Sequence, residues 1–159
     1  MAFGLALLSA ALFGAASPLS KLILESLSPF QLAGLLYLGA AIGVAPRLAL
    51  TRGLTPIGRI PLRSRRLLIG AIACGGLLGP LALLSGLRIG QASSVSLWLN
   101  LELVFTALLG HWLFRDRLGR TGWLALGGIL AASVLLTGGG GTAAVRSGLL
   151  VALACLFWG

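Results

Sequence analysis

The sequence predicts an all-α integral membrane protein, with five transmembrane helices and the start of a sixth. Three observations carry this. Hydrophobic residues make up 58% of the 159 and charged residues only 9%, against roughly 25% charged in a soluble domain. The apolar residues fall in runs near the length of about 20 that a spanning helix needs. The 24 glycines would weaken a helical bundle in water but allow close helix contact in lipid. With no water to bond the backbone, each span must satisfy its own amides, and helices do so.

The first apolar run covers about 2–24. A cleaved signal peptide is the rival reading, because Ala15-Ala16-Ser17 resembles a small-residue cleavage site. No basic segment precedes the run, and the run is long for a leader. Pro18 removes a helix hydrogen bond and crowds the Gly14 carbonyl, so a kink is expected there. Ser28-Pro29 marks the first turn. The second span covers 30–45 and is expected to end at Pro46-Arg47. Residues 47–66 read as a basic loop with Pro56 and Pro61. The third span covers 67–87, thinned by Gly75, Gly76 and Gly79 and bent at Pro80. The fourth covers 94–114 and the fifth 122–137. A glycine break follows at 138–141, and the last apolar run, 148–159, is too short to span. The expected organisation is therefore a five-helix unit at 1–138, a linker at 139–147 and a truncated helix at 148–159.

The formal net charge is +9. In a soluble chain this would suggest nucleic acid. Here the basic residues punctuate the loops, and no nucleic-acid partner is expected. Arg47, Arg52, Arg59, Arg63, Arg65, Arg66, Arg115, Arg117 and Arg120 fall on one side of the membrane. Lys21, Arg88 and Arg146 fall on the other. The positive-inside rule makes the arginine-rich side, and the N-terminus, cytoplasmic. Cys74 and Cys155 lie in apolar runs and read as small buried residues. No cluster with metal-ligand spacing, phosphate-binding glycine loop or Ser-His-Asp set is present, so neither a metal nor a cofactor is expected.

An offset of 145 residues lays the start of the chain on its end: Leu5 on Leu150, Leu8 on Leu153, Phe13 on Trp158 and Gly14 on Gly159. A repeat unit of five spans is odd, so a second copy enters the membrane inverted. Inverted repeats are common in secondary transporters.

Three stretches resemble the EamA family of the drug/metabolite transporter superfamily. Residues Leu12 to Lys21, reading LFGAASPLSK, resemble its first helix. Glu102 to Leu109 with Arg115-Asp116-Arg117-Leu118 is similar to its fourth-helix pattern. The family usually reads Glu or Ser, Pro, Val-Phe-Thr-Ala, then Gly-Glu-Arg-Leu there. Gly148 to Gly159 resembles the opening of its second repeat. Two departures stand out: Leu103 replaces the usual Pro, and Arg115-Asp116 replaces Gly-Glu. The resemblance implies half of a ten-helix inverted-repeat fold. It also implies a secondary transporter of small metabolites, often an exporter driven by ion exchange, in the plasma (bacterial inner) membrane. The expected partners are a small-molecule substrate, the lipid bilayer, and either a missing second repeat or a second copy of the chain. Without one of them the fragment is not expected to transport. A non-transporting structural or assembly subunit is the alternative. An intramembrane enzyme is disfavoured, because the spans hold a single acid.

That acid is Glu102, about 12 Å from the outer end of its helix at 1.5 Å per residue. An ionisable group at that depth costs a few kcal/mol and usually faces a cavity or a partner. It reads as a ligand for a substrate amine or a proton carrier, or else as a structural acid bonded to a neighbouring helix. On a helical wheel Gln91, Trp98, Glu102 and Thr106 share one face, and Ser93, Ser96, Asn100 and His111 the opposite one. One stripe is expected to line the cavity and the other to meet a helix; the Glu102 face is favoured for the cavity. Trp98 either closes over substrate or packs. His111 reads as an interfacial group or a proton relay. Lys21 and Glu25, four apart, read as a snorkelling ion pair, or Lys21 turns inward to a carboxylate. Gly14, Pro18 and Pro80 are candidate kink or gating positions. Gly39 with Gly43, and Gly75 with Gly79, are helix-packing pairs.

Overall fold

The structure is a computed structural model that describes residues 2–51, 60–115, 117–137 and 141–159. Among these the chain is all helical, with no strand. Helix α1 spans Ala2–Ile23, α2 Pro29–Thr51 and α3 Leu62–Ala71. A π-helical segment, Ile72–Leu78, joins α3 to α4, Gly79–Ile89. Then come α5 (Ala92–Trp98), α6 (Leu101–Leu113), α7 (Arg120–Thr137) and α8 (Gly141–Trp158). Five stretches are long and apolar enough to cross a bilayer: Phe3–Ile23, Pro29–Leu50, Leu62–Ile89, Ala92–Leu113 and Gly141–Trp158. The apolar part of α7, Arg120–Leu135, is shorter. Large side chains such as Phe3, Leu12, Leu124 and Leu135 point outward, as a lipid solvent requires and water forbids.

Local chemistry sets the ends. The Ser28 hydroxyl accepts from the Gln31 amide at 3.3 Å, and the Gln31 side chain accepts from the Ser28 N–H at 2.9 Å. This reciprocal capping box starts α2, with Pro29 in the first helical position, where no N–H is needed. Pro46 does not end α2, contrary to expectation; the helix continues to Thr51. A proline costs one bond to the Ile42 carbonyl, whereas stopping in lipid would orphan several backbone groups, so continuation wins. Likewise α1 runs through Pro18. The basic loop is also narrower than 47–66, because α2 and α3 extend into it at both ends. Its centre, with Arg52, Pro56 and Arg59, lies outside the described residues, as do Asp116 and the glycine break at 138–140.

Helix α8 packs most extensively against α4 and also touches α5, α6 and α7. It runs antiparallel to α4: Ser147 meets Gly86 and Gly90, while Trp158 meets Gly75 and Gly79. Small residues make this approach close. A Cβ on Gly86 would lie 3.0 Å from the Ser147 carbonyl, and one on Gly79 would lie 2.6 Å from Trp158 Nε1. A Cβ on Gly90 would collide with the Ser147 hydroxyl. The Ser147 hydroxyl donates to the Gly86 carbonyl at 2.8 Å, and the Trp158 indole N–H to the Gly75 carbonyl at 2.9 Å. Interhelical bonds of this kind in lipid contribute about 0.6 kcal/mol each on average. Packing therefore carries the contact and the bonds fix its register. Leu84, Leu87, Val95, Leu101, Val104, Val151 and Cys155 form the core around this seam.

Two readings of the end of the chain change. Residues 141–147, expected as linker, belong to α8. The last helix therefore has 18 residues, enough to be a candidate span. Gly75 and Gly79 do pack against a helix, but Gly39 and Gly43 meet nothing within 4 Å among the described residues. Cys155 is buried as expected, whereas Cys74 is only half-buried.

Candidate functional site

The fourth predicted span is broken in its middle. Helix α5 stops at Trp98, and α6 starts at Leu101. Across the break the Asn100, Glu102 and Leu103 amides bond to Leu97, Leu99 and Asn100 at 3.1–3.2 Å. These are i→i−3 bonds, so the chain tightens into 3₁₀ geometry. No proline forces this; the break sits just before Leu103, where the familiar proline is missing. The Glu102 amide is thus drawn away from the Trp98 carbonyl. The Cys155 thiol from α8 lies 3.8 Å from both the Trp98 and the Leu99 carbonyls and donates there. The Asn100 side-chain amide caps the Leu97 carbonyl at 2.9 Å.

Two cavities adjoin at Glu102. The first, about 350 Å³, lies between α1, α2, α4, α6 and the end of α8. Phe13, Ala16, Ser17, Ser20, Leu36, Pro80, Leu83, Leu84, Leu87, Leu99, Glu102 and Trp158 line it. The second, about 360 Å³, is lined by Phe13, Gly14, Ser17, Ser96, Leu99, Asn100, Glu102 and Leu103. They share Phe13, Ser17, Leu99 and Glu102. Glu102 is half-buried at the junction, and among the described residues no other charged side chain lines either cavity. Both volumes fall in the range of roughly 300–1,000 Å³ usual for small-molecule sites.

With this geometry in hand, comparison with known families is informative. The EamA-like transporter family is matched over residues 1–138. The chain belongs to that family. The match covers most of the chain and stops before α8. No curated protein and no solved structure gives a match.

In this EamA-family protein the predicted site residues separate into groups. Glu102 and Asn100 come together on the second cavity, although the helical wheel set them on opposite faces. The wheel assumed 100° per residue throughout, whereas a 3₁₀ step turns about 120°, so the break realigns the stripes. Gly14 lines the second cavity and Pro80 the first. Pro18 borders neither. Trp98 turns away: a Cβ on Gly148 would lie 2.7 Å from its ring, so it packs on α8. Thr106 is exposed on α6, beside the backbone of Gly159. Gln91 is exposed at the start of α5. Neither lines these two cavities.

Lys21 does something the sequence did not suggest. Its ammonium donates to the Leu87 and Arg88 carbonyls at 2.8 Å each. These are among the orphan carbonyls at the end of α4, where the helix dipole favours a cation. Lys21 thus neither pairs with Glu25 nor turns to Glu102. His111 stacks edge-on against Trp123 at 5.7 Å, joining α6 to α7 away from the cavities.

Two residues of this EamA-family chain escaped the sequence reading. Trp158 is an aromatic wall of the first cavity, with Phe13; its prior signals were the offset that laid it on Phe13 and the resemblance of 148–159 to the opening of a second repeat. Cys155 supports the break beneath Glu102. Nothing local to residue 155 announces that, because its partners lie 57 and 56 positions away.

Proposed function

We propose that this protein is a secondary carrier that exports small metabolites across the plasma membrane, with the Glu102 cavities as its translocation site. The family supplies the transport activity. The observation that supports the site is the junction itself: the sole acid of the spans lies where two ligand-sized cavities meet, on a broken helix. A half-buried carboxylate that faces both cavities can exchange a proton for a cationic ligand, which is a means of coupling.

Phe13 lines both cavities yet is 75% exposed. This supports a second five-helix unit, from a further repeat or a second copy, closing the site. The arginine-rich ends of α2 and α3 support a cytoplasmic N-terminus.

Flux into proteoliposomes, measured against pH, tests the reading. Glu102→Gln keeps size and hydrogen bonding but cannot ionise. It is expected to abolish or uncouple flux in folded, inserted protein. Losing a charge-assisted bond costs about 1.5–3 kcal/mol, a roughly tenfold to hundredfold loss of affinity. Wild-type flux with an unchanged pH profile in this variant would leave Glu102 a packing residue.

A further inference from the structure

Resting on the transport reading above, we propose that the Glu102 site selects an amphipathic organic monocation: a protonated amine on an apolar, preferably aromatic body. Zwitterions and anions are disfavoured.

The first argument is charge. Among the described residues, Glu102 is the only charged side chain on either cavity. Lys21, one turn beyond Ser17 on α1, is held by the Leu87 and Arg88 carbonyls at the end of α4. A ligand carboxylate would therefore meet Glu102 with no compensating cation on these walls.

The second argument is the sense of the hydrogen bonds. Ser96 gives its single proton to the Ala92 carbonyl at 2.9 Å. It can then offer the cavity only lone pairs. Asn100 commits one of its two amide hydrogens to the Leu97 carbonyl at 2.9 Å, which leaves one N–H beside the two lone pairs of its carbonyl oxygen. Glu102 adds a carboxylate beside them. A site rich in acceptors suits a ligand rich in donors, and an ammonium carries donors alone.

The third argument is the division of the walls. Ser96 and Asn100 line the second cavity alone, whereas Leu36, Leu83, Leu84, Leu87 and Trp158 line the first alone, with Ser20; Phe13 and Ser17 border both. The Trp158 N–H is occupied by the Gly75 carbonyl, so only ring carbon faces the first cavity. An ammonium at Glu102 with its body among these rings and leucines satisfies both halves. The ring faces also attract a cation that approaches them.

The test is equilibrium binding to the full-length protein in nanodiscs of zwitterionic lipid. Phenethylamine, phenylalanine and 3-phenylpropionate share one phenyl body and differ in charge; methylammonium has the head without the body. Phenethylamine is expected to bind at least about tenfold tighter than each of the others. Glu102→Gln is expected to erase that preference, and Trp158→Leu to narrow the gap to methylammonium. Equal or tighter binding of phenylalanine or 3-phenylpropionate overturns the proposal, as does no binding of phenethylamine at millimolar concentration. The ligand series on unmodified protein needs no variant to fold. Proteoliposomes loaded with a mixed metabolite extract separate the two readings. Flux of other solutes without amine binding overturns the substrate class and leaves transport standing. No flux of any solute overturns both.

Discussion

Phe13 and Trp158, which an offset of 145 residues lays on one another, line the same cavity, one from α1 and the other from α8. Phe13 lies mid-way along α1, and Trp158 is the last residue of α8. Glu102 lines that cavity with them, and behind Trp158 lies the glycine face of Gly75 and Gly79 that lets the indole approach α4.

That glycine face gives the first prediction. A Cβ on Gly79 would lie 2.6 Å from Trp158 Nε1, whereas one on Gly39 would meet nothing within 4 Å. Gly79→Ala is expected to displace the indole, break its bond to Gly75 and destabilise the bundle by about 1–3 kcal/mol, as overpacking does. Gly39→Ala is expected to be neutral or slightly stabilising through helix propensity. Thermal unfolding in detergent compares them. Equal melting temperatures would contradict the packing seen here.

Lys21 gives the second. If its ammonium serves the carbonyl end of α4, Lys21→Met removes two hydrogen bonds and destabilises by roughly 1–2 kcal/mol. Ligand affinity at Glu102 is expected to stay within about twofold. A loss of affinity with stability unchanged would instead place Lys21 in the site.

Arg115 gives the third. It follows the last turn of α6 with φ +57°, the left-handed conformation that glycine adopts freely at a helix C-terminus. For other residues that conformation costs roughly 1–2 kcal/mol. Arg115→Gly is therefore expected to raise stability by about 1 kcal/mol, and Arg115→Ala to give no such gain. Chemical unfolding of the two variants decides. The family commonly carries glycine at this point, so the strain belongs to this sequence.

Orientation gives the fourth. Single cysteines at Ser64 and Ser26, in a background without Cys74 and Cys155, are expected to react with a membrane-impermeant maleimide from the cytoplasmic and the outer side respectively. The reverse pattern would invert the assigned topology.

Much of the fold is legible in the chain because lipid imposes a single solution, the helix, on every apolar run. Glu102 is legible for the same reason: one acid among apolar residues is conspicuous. Arg115 could be flagged by its departure from the family pattern. What escaped depends on contacts between distant segments. The break at Leu99–Asn100 carries no proline or glycine of its own and relies on Cys155 from another helix. The wheel could not foresee it and so put Asn100 and Glu102 apart. Lys21 was misread because an acid four residues away offered a local partner, whereas the carbonyls it meets lie 66 and 67 positions away. Pro46 misled because a stop signal learned in water is weaker where ending a helix leaves amides in oil.

The π-helical segment at Ile72–Leu78 acts as a phase shift in the third span. A π-turn holds more residues than an α-turn, so it offsets everything after it by about one residue, or roughly 100° of rotation. The faces of α3 and α4 are thereby set independently, although they share one continuous rod. Deleting a single residue within the segment would restore α-helical phase, swinging Gly79 and Gly86 away from α8 and Leu84 and Leu87 out of the first cavity. Deletions here are thus expected to be far more damaging than substitutions, a frame-like sensitivity inside a helix that hydropathy alone treats as uniform.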